Sequence, residues 1–165
     1  MSVKLIKAEV QDIEELYSIV EERIRYYSSI QYNMKPKPVY FPLLEDFQRH
    51  QAKGDLYIIE TPEDKKAGVA AVSEENEQRL MNMDDSSVLY YQFSIIRLNV
   101  KVMLKDVLNE IEKMAVSRNK KAVRLFHEAD EKFAETTYGK MGYYAMGTFV
   151  KDGKTIVIRE KRLSV

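Results

Sequence analysis

The chain of 165 residues has no cysteine, only two histidines, and no excess of either charge. Without cysteine it can form no disulfide, no thiolate metal site and no cysteine nucleophile. The histidines, His50 and His127, lie far apart in sequence, which argues against a histidine-rich metal site. Lys+Arg and Asp+Glu are each 26, so the formal net charge is zero. No global field therefore favours nucleic acid or an anionic membrane surface.

Long apolar runs are also missing. Residues 1–7 lack the apolar region of a secretory signal, and no run approaches the length that spans a bilayer. We therefore expect a cytoplasmic protein without a membrane or nucleic-acid partner. Hydrophobic residues make up 45% of the sequence and charged residues 32%. That composition fits one globular domain over residues 1–165.

Hydrophobic periodicity predicts the element order β-α-α-β-β-β-α-β-α-β-β, an α/β domain with a mixed sheet and helices on both faces. Asp12 is the predicted cap of the first helix, with Glu15 as its capping-box partner. Asp152 and Gly153 predict a tight hairpin turn. The predicted helices cover residues 12–28, 43–51, 105–115 and 131–140. The predicted strands cover residues 3–8, 56–60, 67–72, 88–96, 122–126, 143–150 and 155–162.

Residues 31–42 hold three of the four prolines and form a predicted loop. Aromatic side chains cluster around it: Tyr26, Tyr27, Tyr32, Tyr40 and Phe41. They could build a substrate pocket or a protein interface, or only pin the loop to the body of the domain.

A basic run is the one feature that suggests nucleic-acid binding. Its members are Lys113, Arg118, Lys120, Lys121 and Arg124. Because the chain as a whole carries no net charge, we interpret the run as a solvated helix end and turn.

Three stretches carry a resemblance to a known family. Residues 110–125 look like a central helix, a polar turn and the strand after it. In residues 134–143, Ala134, Tyr138, Gly142 and Tyr143 follow the pattern of Ala, three residues, Tyr, three residues, then Gly and an aromatic. Residues 54–72 look like an early hairpin. Together these stretches resemble the GNAT superfamily of CoA-dependent N-acyltransferases.

The resemblance implies a mixed, mostly antiparallel sheet of about seven strands with helices on both faces. It also implies an N-acetyltransferase that moves acetyl from acetyl-CoA to an amine of a small molecule or peptide. Homodimers are common in the family, so a homodimer is a further expectation.

The chain departs from the family where acetyl-CoA should bind. The family's Gln/Arg-x-x-Gly-x-Gly/Ala loop falls on residues 99–104, so that Val102 and Leu104 stand for glycines. Glycines let backbone N–H groups approach a diphosphate at a helix N-terminus. Glu131 stands where the family has Asn, and its charge repels an anion. Lys101 and Lys105 compensate in part, and we expect acetyl-CoA binding to be weakened, altered or lost.

The resemblance assigns Tyr138 as the acid that protonates the departing CoA thiolate, although it could equally be a packing tyrosine. A general base stays open among Glu45, Asp46, Glu60, Glu128 and His127, while Gln92 cannot take a proton. His50 is predicted to be structural. The predicted cofactor-binding residues are Phe93, Ser94, Ile95, Ile96, Asn99, Val100, Lys101, Val102, Met103, Leu104 and Glu131.

The missing glycines leave a second hypothesis open. The chain could be a catalytically silent GNAT-like domain that acts in binding or assembly with a protein partner.

Overall fold

The computed structural model describes residues 2–30, 41–75 and 86–164, and its element order is the predicted one. A short 3-10 helix, Val10–Asp12, precedes the first α-helix. The helices are α1 (Ile13–Ile30), α2 (Leu44–Ala52), α3 (Leu104–Ser117) and α4 (Ala134–Lys140). The strands are β1 (Lys4–Lys7), β2 (Leu56–Glu60), β3 (Gly68–Ser73), β4 (Val88–Ile96), β5 (Ala122–Glu128), β6 (Tyr144–Lys151) and β7 (Lys154–Arg162).

The seven strands form one sheet in the order β1-β2-β3-β4-β5-β7-β6. The pairs β1–β2, β2–β3, β5–β7 and β6–β7 are antiparallel. β4 and β5 are parallel, because α3 connects them as a crossover. The sheet confirms the predicted α/β fold with a mixed, mostly antiparallel sheet of seven strands.

The chain divides into two compact units. The first unit comprises Met1–Ala71 and Phe93–Val107, and the second comprises Val72–Gln92 and Leu108–Val165. That residues 1–165 act as a single domain stays a prediction.

The core of the first unit lies between α1, α2 and strands β2 to β4. Its buried members are Ala8, Ile13, Leu16, Ile19, Val20, Phe47, Leu56, Ile58, Val69 and Ala71. A Cβ at Gly68 would lie 2.6 Å from the carbonyl oxygen of Ile95, so only glycine fits where β3 meets β4. This close approach places the end of β4 directly against Gly68, in the hairpin of β2 and β3.

The capping box predicted at the start of α1 is wrong. The Asp12 carboxylate accepts a hydrogen bond from the backbone N–H of Glu9 at 2.9 Å, so its partner lies before it. Glu15 instead accepts from Lys66 at 2.7 Å. The reason is the 3-10 turn Val10–Asp12, which starts the helical segment earlier than the sequence pattern indicates.

The second unit has its own core, built on β4, β5 and one face of α3. Tyr90 stacks on Phe126 with ring centroids 6.3 Å apart. Leu108, Ile111 and Ala115 on α3 are fully buried, as the helical periodicity predicts. The turn between β6 and β7 has positive φ at Asp152 (51°) and Gly153 (75°), which confirms the predicted hairpin turn.

Most of the proline-bearing loop, including Tyr32 and Tyr40, lies outside the described residues. Of the remaining aromatic side chains, Tyr27 contacts Tyr26 and Phe41 at centroid distances of 5.9 and 5.7 Å.

None of the helices in the described ranges is long and apolar enough to cross a membrane. The same ranges hold no group of acidic or histidine side chains placed to bind a metal ion.

Candidate functional site

The segment between β4 and α3 is held firmly within the first unit. The backbone N–H of Arg97 donates to the carbonyl of Ala67 at 2.8 Å, and that of Leu98 donates to the Glu22 carboxylate at 3.1 Å. The Arg23 guanidinium donates to the carbonyl of Ile96 at 2.8 Å. These contacts position the start of the loop without any glycine.

The backbone of this loop does not need glycine. Among the described non-glycine residues, positive φ occurs at Asn99 (66°), Asn119 and Asp152, so residues 100–104 have ordinary φ values. Asparagine tolerates the left-handed conformation better than most side chains. Valine at position 102 and leucine at position 104 therefore cause no backbone strain.

The start of α3 has backbone donors that the helix cannot satisfy. Met103 occupies the cap position, and its carbonyl accepts from the N–H groups of Asp106 and Val107 at 3.0 and 3.3 Å. The N–H groups of Leu104 and Lys105 have no acceptor inside the helix. A methionine cap has no side-chain oxygen for them. Together with the helix dipole, these donors make the helix N-terminus attractive to an anion.

Side chains around the α3 start differ in exposure. Lys101 and Lys105 are exposed, and Met103 is 67% exposed. Half-buried positions are Val100, Val102 and Leu104. The helix begins at Leu104, one residue before the predicted start. The cofactor role of residues 99–104 stays a prediction.

Two of the predicted cofactor-binding residues on β4 have side chains that pack in a core. Phe93 and Ile95 pack against the core of the first unit, where Phe93 stacks on Phe47 at 5.8 Å. His50 contacts the Phe93 ring from the edge at 5.7 Å, in keeping with a structural role. Along the described lengths of both strands, the parallel ladder of β4 with β5 covers three pairs and ends at Tyr90 and Arg124.

Tyr138 lies on α4 in the second unit and is half-buried. Its ring stacks on His127, with centroids 5.8 Å apart and planes 20° apart, and meets Tyr143 edge-on at 6.5 Å. Burial, and then the charge of Glu131, raise the pKa of the Tyr138 phenol, while the charge of Arg159 lowers it. The phenol is therefore a protonated donor at neutral pH.

Glu131 is exposed and precedes α4, which begins at Ala134 and not at residue 131 as predicted. The backbone N–H of Glu131 donates to the carbonyl of Glu128 at 3.1 Å, and its own carbonyl accepts from Ala134 at 3.1 Å. The segment is thus a turn that leads into the helix. The side chain of Glu131 acts on Tyr138 through its charge.

His127 lies inside β5 and is buried, whereas the sequence placed it after the strand. The Nε of Arg159 lies 2.8 Å from its Nε2, and the carbonyl oxygen of Glu128 lies 2.8 Å from its Nδ1. A guanidinium can only donate, so Nε2 accepts and Nδ1 carries the proton that it donates to the carbonyl. Both ring nitrogens are thus occupied by structural bonds, which supports the local hydrogen-bonding interpretation over that of a base.

Two of the candidate carboxylates have partners of their own. Asp46 accepts from the backbone N–H of Leu43 at 2.7 Å and from Arg49 at 3.1 Å, which caps α2. Glu128 pairs with Lys154 at 3.1 Å. The amide of Gln92 donates to the Ser73 hydroxyl at 2.9 Å. No described contact selects a base from Glu45 and Glu60.

The basic run is largely neutralised. Lys113 pairs with Glu110 at 3.0 Å, and Lys120 pairs with Glu74 at 2.8 Å. Arg118 lies 3.6 Å from the same Glu74 carboxylate. Arg124 is 9% exposed, so its interpretation as a solvated charge is wrong: it faces the strand partner of β5 rather than solvent.

No sequence pattern indicated Arg159, whose charge acts on Tyr138 in the structure. This arginine is 6% exposed and sits on β7 opposite Leu125 of β5. In the sequence it belongs to four consecutive charged residues, 159–162, at the end of a strand, a pattern typical of a solvated edge.

No protein-family model and no curated protein matches the sequence. Solved structures do match. A GNAT-family acetyltransferase from Listeria monocytogenes 4b F2365 is 13% identical, with a TM-score of 0.78 over 98% of this chain and 95% of that chain. Ard1 from Thermoplasma volcanium is 10% identical, with a TM-score of 0.67 over 100% of both chains. A chain of the NatC complex bound to Gag peptide and CoA is 13% identical, with a TM-score of 0.56 over 99% of this chain and 100% of that chain. The protein therefore has the acetyltransferase fold of the GNAT superfamily, as the resemblance predicts.

Proposed function

We propose that the protein transfers acetyl from acetyl-CoA to an amine of a small molecule or peptide. The start of α3 carries this proposal. Its donors at Leu104 and Lys105 have no acceptor in the helix, its cap residue is a methionine, and two exposed lysines flank it. An anionic group such as the CoA diphosphate satisfies such donors. The fold of the neighbouring structures, and CoA in the NatC complex, support the same substrate.

The proposed reaction begins when a neutral amine attacks the thioester carbonyl carbon. Backbone N–H groups of residues 93–96 would stabilise the oxyanion. The C–S bond then breaks, the electron pair leaves on sulfur, and the nitrogen of the new amide releases its extra proton to solvent. Tyr138 would donate its phenolic proton to that thiolate, so that S–H forms as O–H breaks. The protonated state of Tyr138 at neutral pH supports this role.

The first experiment is a calorimetric titration with acetyl-CoA and CoA, with a thermal-shift scan alongside. A ligand at a hundred times its dissociation constant adds about 2.7 kcal/mol to the free energy of unfolding, which a thermal shift reveals. The double variant Lys101→Met/Lys105→Met should weaken binding several-fold, because it removes both cations near the diphosphate. Lys113→Met, at the far end of α3, is the matched control.

Turnover can be followed by a thiol reagent that reacts with released CoA. The protein has no cysteine, so it contributes no background. Tyr138→Phe should lower kcat by about 10²-fold or more and leave the acetyl-CoA dissociation constant unchanged. No binding at millimolar CoA would contradict the proposal. That result would instead support a silent domain with a protein partner.

A further inference from the structure

One arginine donates hydrogen bonds to both residues whose rings contact Tyr138, to the ring of His127 and to the backbone of Tyr143. Arg159 donates through Nε to Nε2 of His127 at 2.8 Å, and His127 stacks on Tyr138. It donates through Nη1 to the carbonyl of Tyr143 at 3.0 Å, and Tyr143 meets Tyr138 edge-on. A further hydrogen bond positions the Tyr143 ring, because its hydroxyl donates to Glu112 at 2.8 Å. The position of the phenol thus depends on Arg159 through two routes.

Among residues 2–30, 41–75 and 86–164, the acceptors of Arg159 carry no negative charge. Its residue is 6% exposed, and its acceptors are a neutral imidazole and a backbone carbonyl. Within the part of the chain that the structure describes, no carboxylate forms an ion pair with it. Buried charges are ordinarily paired, because their transfer from water is costly. A negative charge that appears beside Arg159 during a reaction would complete the pair.

We propose that Arg159 is a positioning residue for Tyr138, which orients the phenol through His127 and Tyr143 and stabilises the phenolate left when the proton departs. This inference rests on the proposed function. The proton moves from the Tyr138 oxygen to the CoA sulfur, and the negative charge moves from sulfur to the phenol oxygen. Solvent then returns a proton to the phenolate. The step needs no further reactant.

The opposing charges around Tyr138 support the proposal. Burial and the Glu131 carboxylate disfavour the phenolate, and Arg159 favours it. The charged or titratable groups that face Tyr138 or its two partner rings are Glu131 before α4, Tyr91 on β4, His127 on β5, Tyr143 before β6, Glu112 on α3, and Arg159 and Lys161 on β7. Arg159 is the cation in that set that acts on Tyr138 itself. Without it, Tyr138 would be a weaker acid.

The test measures the titration of Tyr138 in the whole protein without any substrate. Tyrosine labelled with 13C at Cζ gives one NMR signal per ring, and Tyr138→Phe assigns the signal by its disappearance. Arg159→Gln removes the charge but keeps an amide donor, and should raise the pKa of Tyr138. Glu131→Gln should lower that pKa. Opposite shifts from the two variants are the expected result.

Two control variants change exposed charges outside this set. Glu135→Gln lies on the same helix as Tyr138, and Arg162→Met lies on the same strand as Arg159. Neither should move the Tyr138 titration. If Arg159→Gln and Glu131→Gln shift the titration no more than these controls do, the proposal is wrong.

Arg159→Lys covers the case in which Arg159→Gln does not fold. The lysine keeps the charge but cannot reach both acceptors. The Tyr138 titration should stay close to that of the parent protein, while its ring signals shift because one of the two holding bonds is lost. Unchanged ring signals together with a raised pKa would overturn both parts of the proposal.

The Tyr138 titration can be read whether or not the protein is an acetyltransferase. Failure of CoA to bind would remove the reaction but leave the titration readable. If acetyl-CoA binds, Arg159→Gln should lower kcat at least tenfold with an unchanged acetyl-CoA dissociation constant. A change in binding alone would assign Arg159 to a merely structural role.

Discussion

Two buried arginines on neighbouring strands of the second unit have opposite surroundings. Arg124 on β5 donates to one Glu160 carboxylate oxygen through Nε at 3.1 Å and through Nη2 at 2.6 Å. It also donates to the Tyr90 hydroxyl at 3.2 Å. Arg159 on β7 donates only to neutral acceptors among the described residues. The Glu160 carboxylate balances the charge of Arg124. The charge of Arg159 faces neutral acceptors and can stabilise a negative charge that forms nearby.

The remaining contacts of Glu160 sharpen this difference. The carboxylate is 3% exposed, and its second oxygen lies 3.1 Å from Nε of Arg162 without hydrogen-bond geometry. The Glu160 carboxylate therefore forms its hydrogen bonds with Arg124. The stability that a buried ion pair contributes depends on both partners, because removal of one charge leaves the opposite charge uncompensated.

The largest predicted effect comes from Glu160→Gln. This change removes the Glu160 charge from its bonds with the buried Arg124 guanidinium, and should lower the free energy of unfolding by about 3–5 kcal/mol. Urea denaturation, with the midpoint and the slope fitted together, measures the loss. The control is Glu110→Gln, whose partner Lys113 has a side chain 75% exposed. That exposed pair should contribute about 0–1 kcal/mol. Equal losses from the two variants would break the comparison.

Arg159→Gln should have an intermediate effect on stability. The substitution leaves no buried carboxylate uncompensated. It removes only the hydrogen bonds of Arg159 to His127 and to the Tyr143 carbonyl. We expect a loss of about 1–2 kcal/mol in the same denaturation experiment. A loss as large as that of Glu160→Gln would mean that Arg159 is balanced within the fold after all, in contrast to its surroundings in the structure.

The smallest effect is expected at an ion pair in the first unit. Lys66 lies 2.7 Å from Glu15 and 3.2 Å from Asp12, with 27% of its side chain exposed. Lys66→Met should cost about 0.2–1 kcal/mol, and the cost should shrink in high salt. A loss that does not respond to salt would indicate a buried pair like that of Arg124.

The pH dependence of this cluster has a definite sign. The Glu9 backbone N–H, and then Lys66, lower the pKa of Asp12 against the effect of burial. Its contribution is therefore present above the unfolded pKa of about 3.9, and is lost as pH falls through the lower folded value. Glu15, and then Asp12, raise the pKa of Lys66 against burial. That contribution is present below about 10.4 and is lost as pH rises through the higher folded value. Denaturation across pH, compared between the parent protein and Lys66→Met, measures both limbs.

Most elements could be predicted because their signals are local. The aromatic and β-branched residues of segment 88–96 predict β4 with the correct ends, and the apolar face of α3 is buried as its 3.6-residue period indicates. The Asp152 and Gly153 turn follows from their tolerance of positive φ. The capping box of α1 was predicted wrongly because a 3-10 turn places Asp12 as the partner of a residue before it.

The candidate site could be predicted only in part. The resemblance to the GNAT superfamily placed the predicted cofactor loop on residues 99–104. That its valines and leucine keep ordinary φ, with Asn99 taking the single left-handed position in the loop, requires the backbone itself. His127 was placed at a strand end because the sequence does not reveal that β5 continues to Glu128.

The sequence by itself determined the order of helices and strands, the resemblance to one superfamily and the position of Tyr138, because these depend on residues close together in the chain. The tertiary structure alone decided which charges meet. Arg124 with Glu160, and Arg159 with His127, are 36 and 32 residues apart in the chain. Their contact results from the register of β5 against β7, which pairs Arg124 with Glu160 and Leu125 with Arg159. Because successive side chains on a strand point to opposite faces, that register gives one arginine a carboxylate and leaves the other beside the phenol.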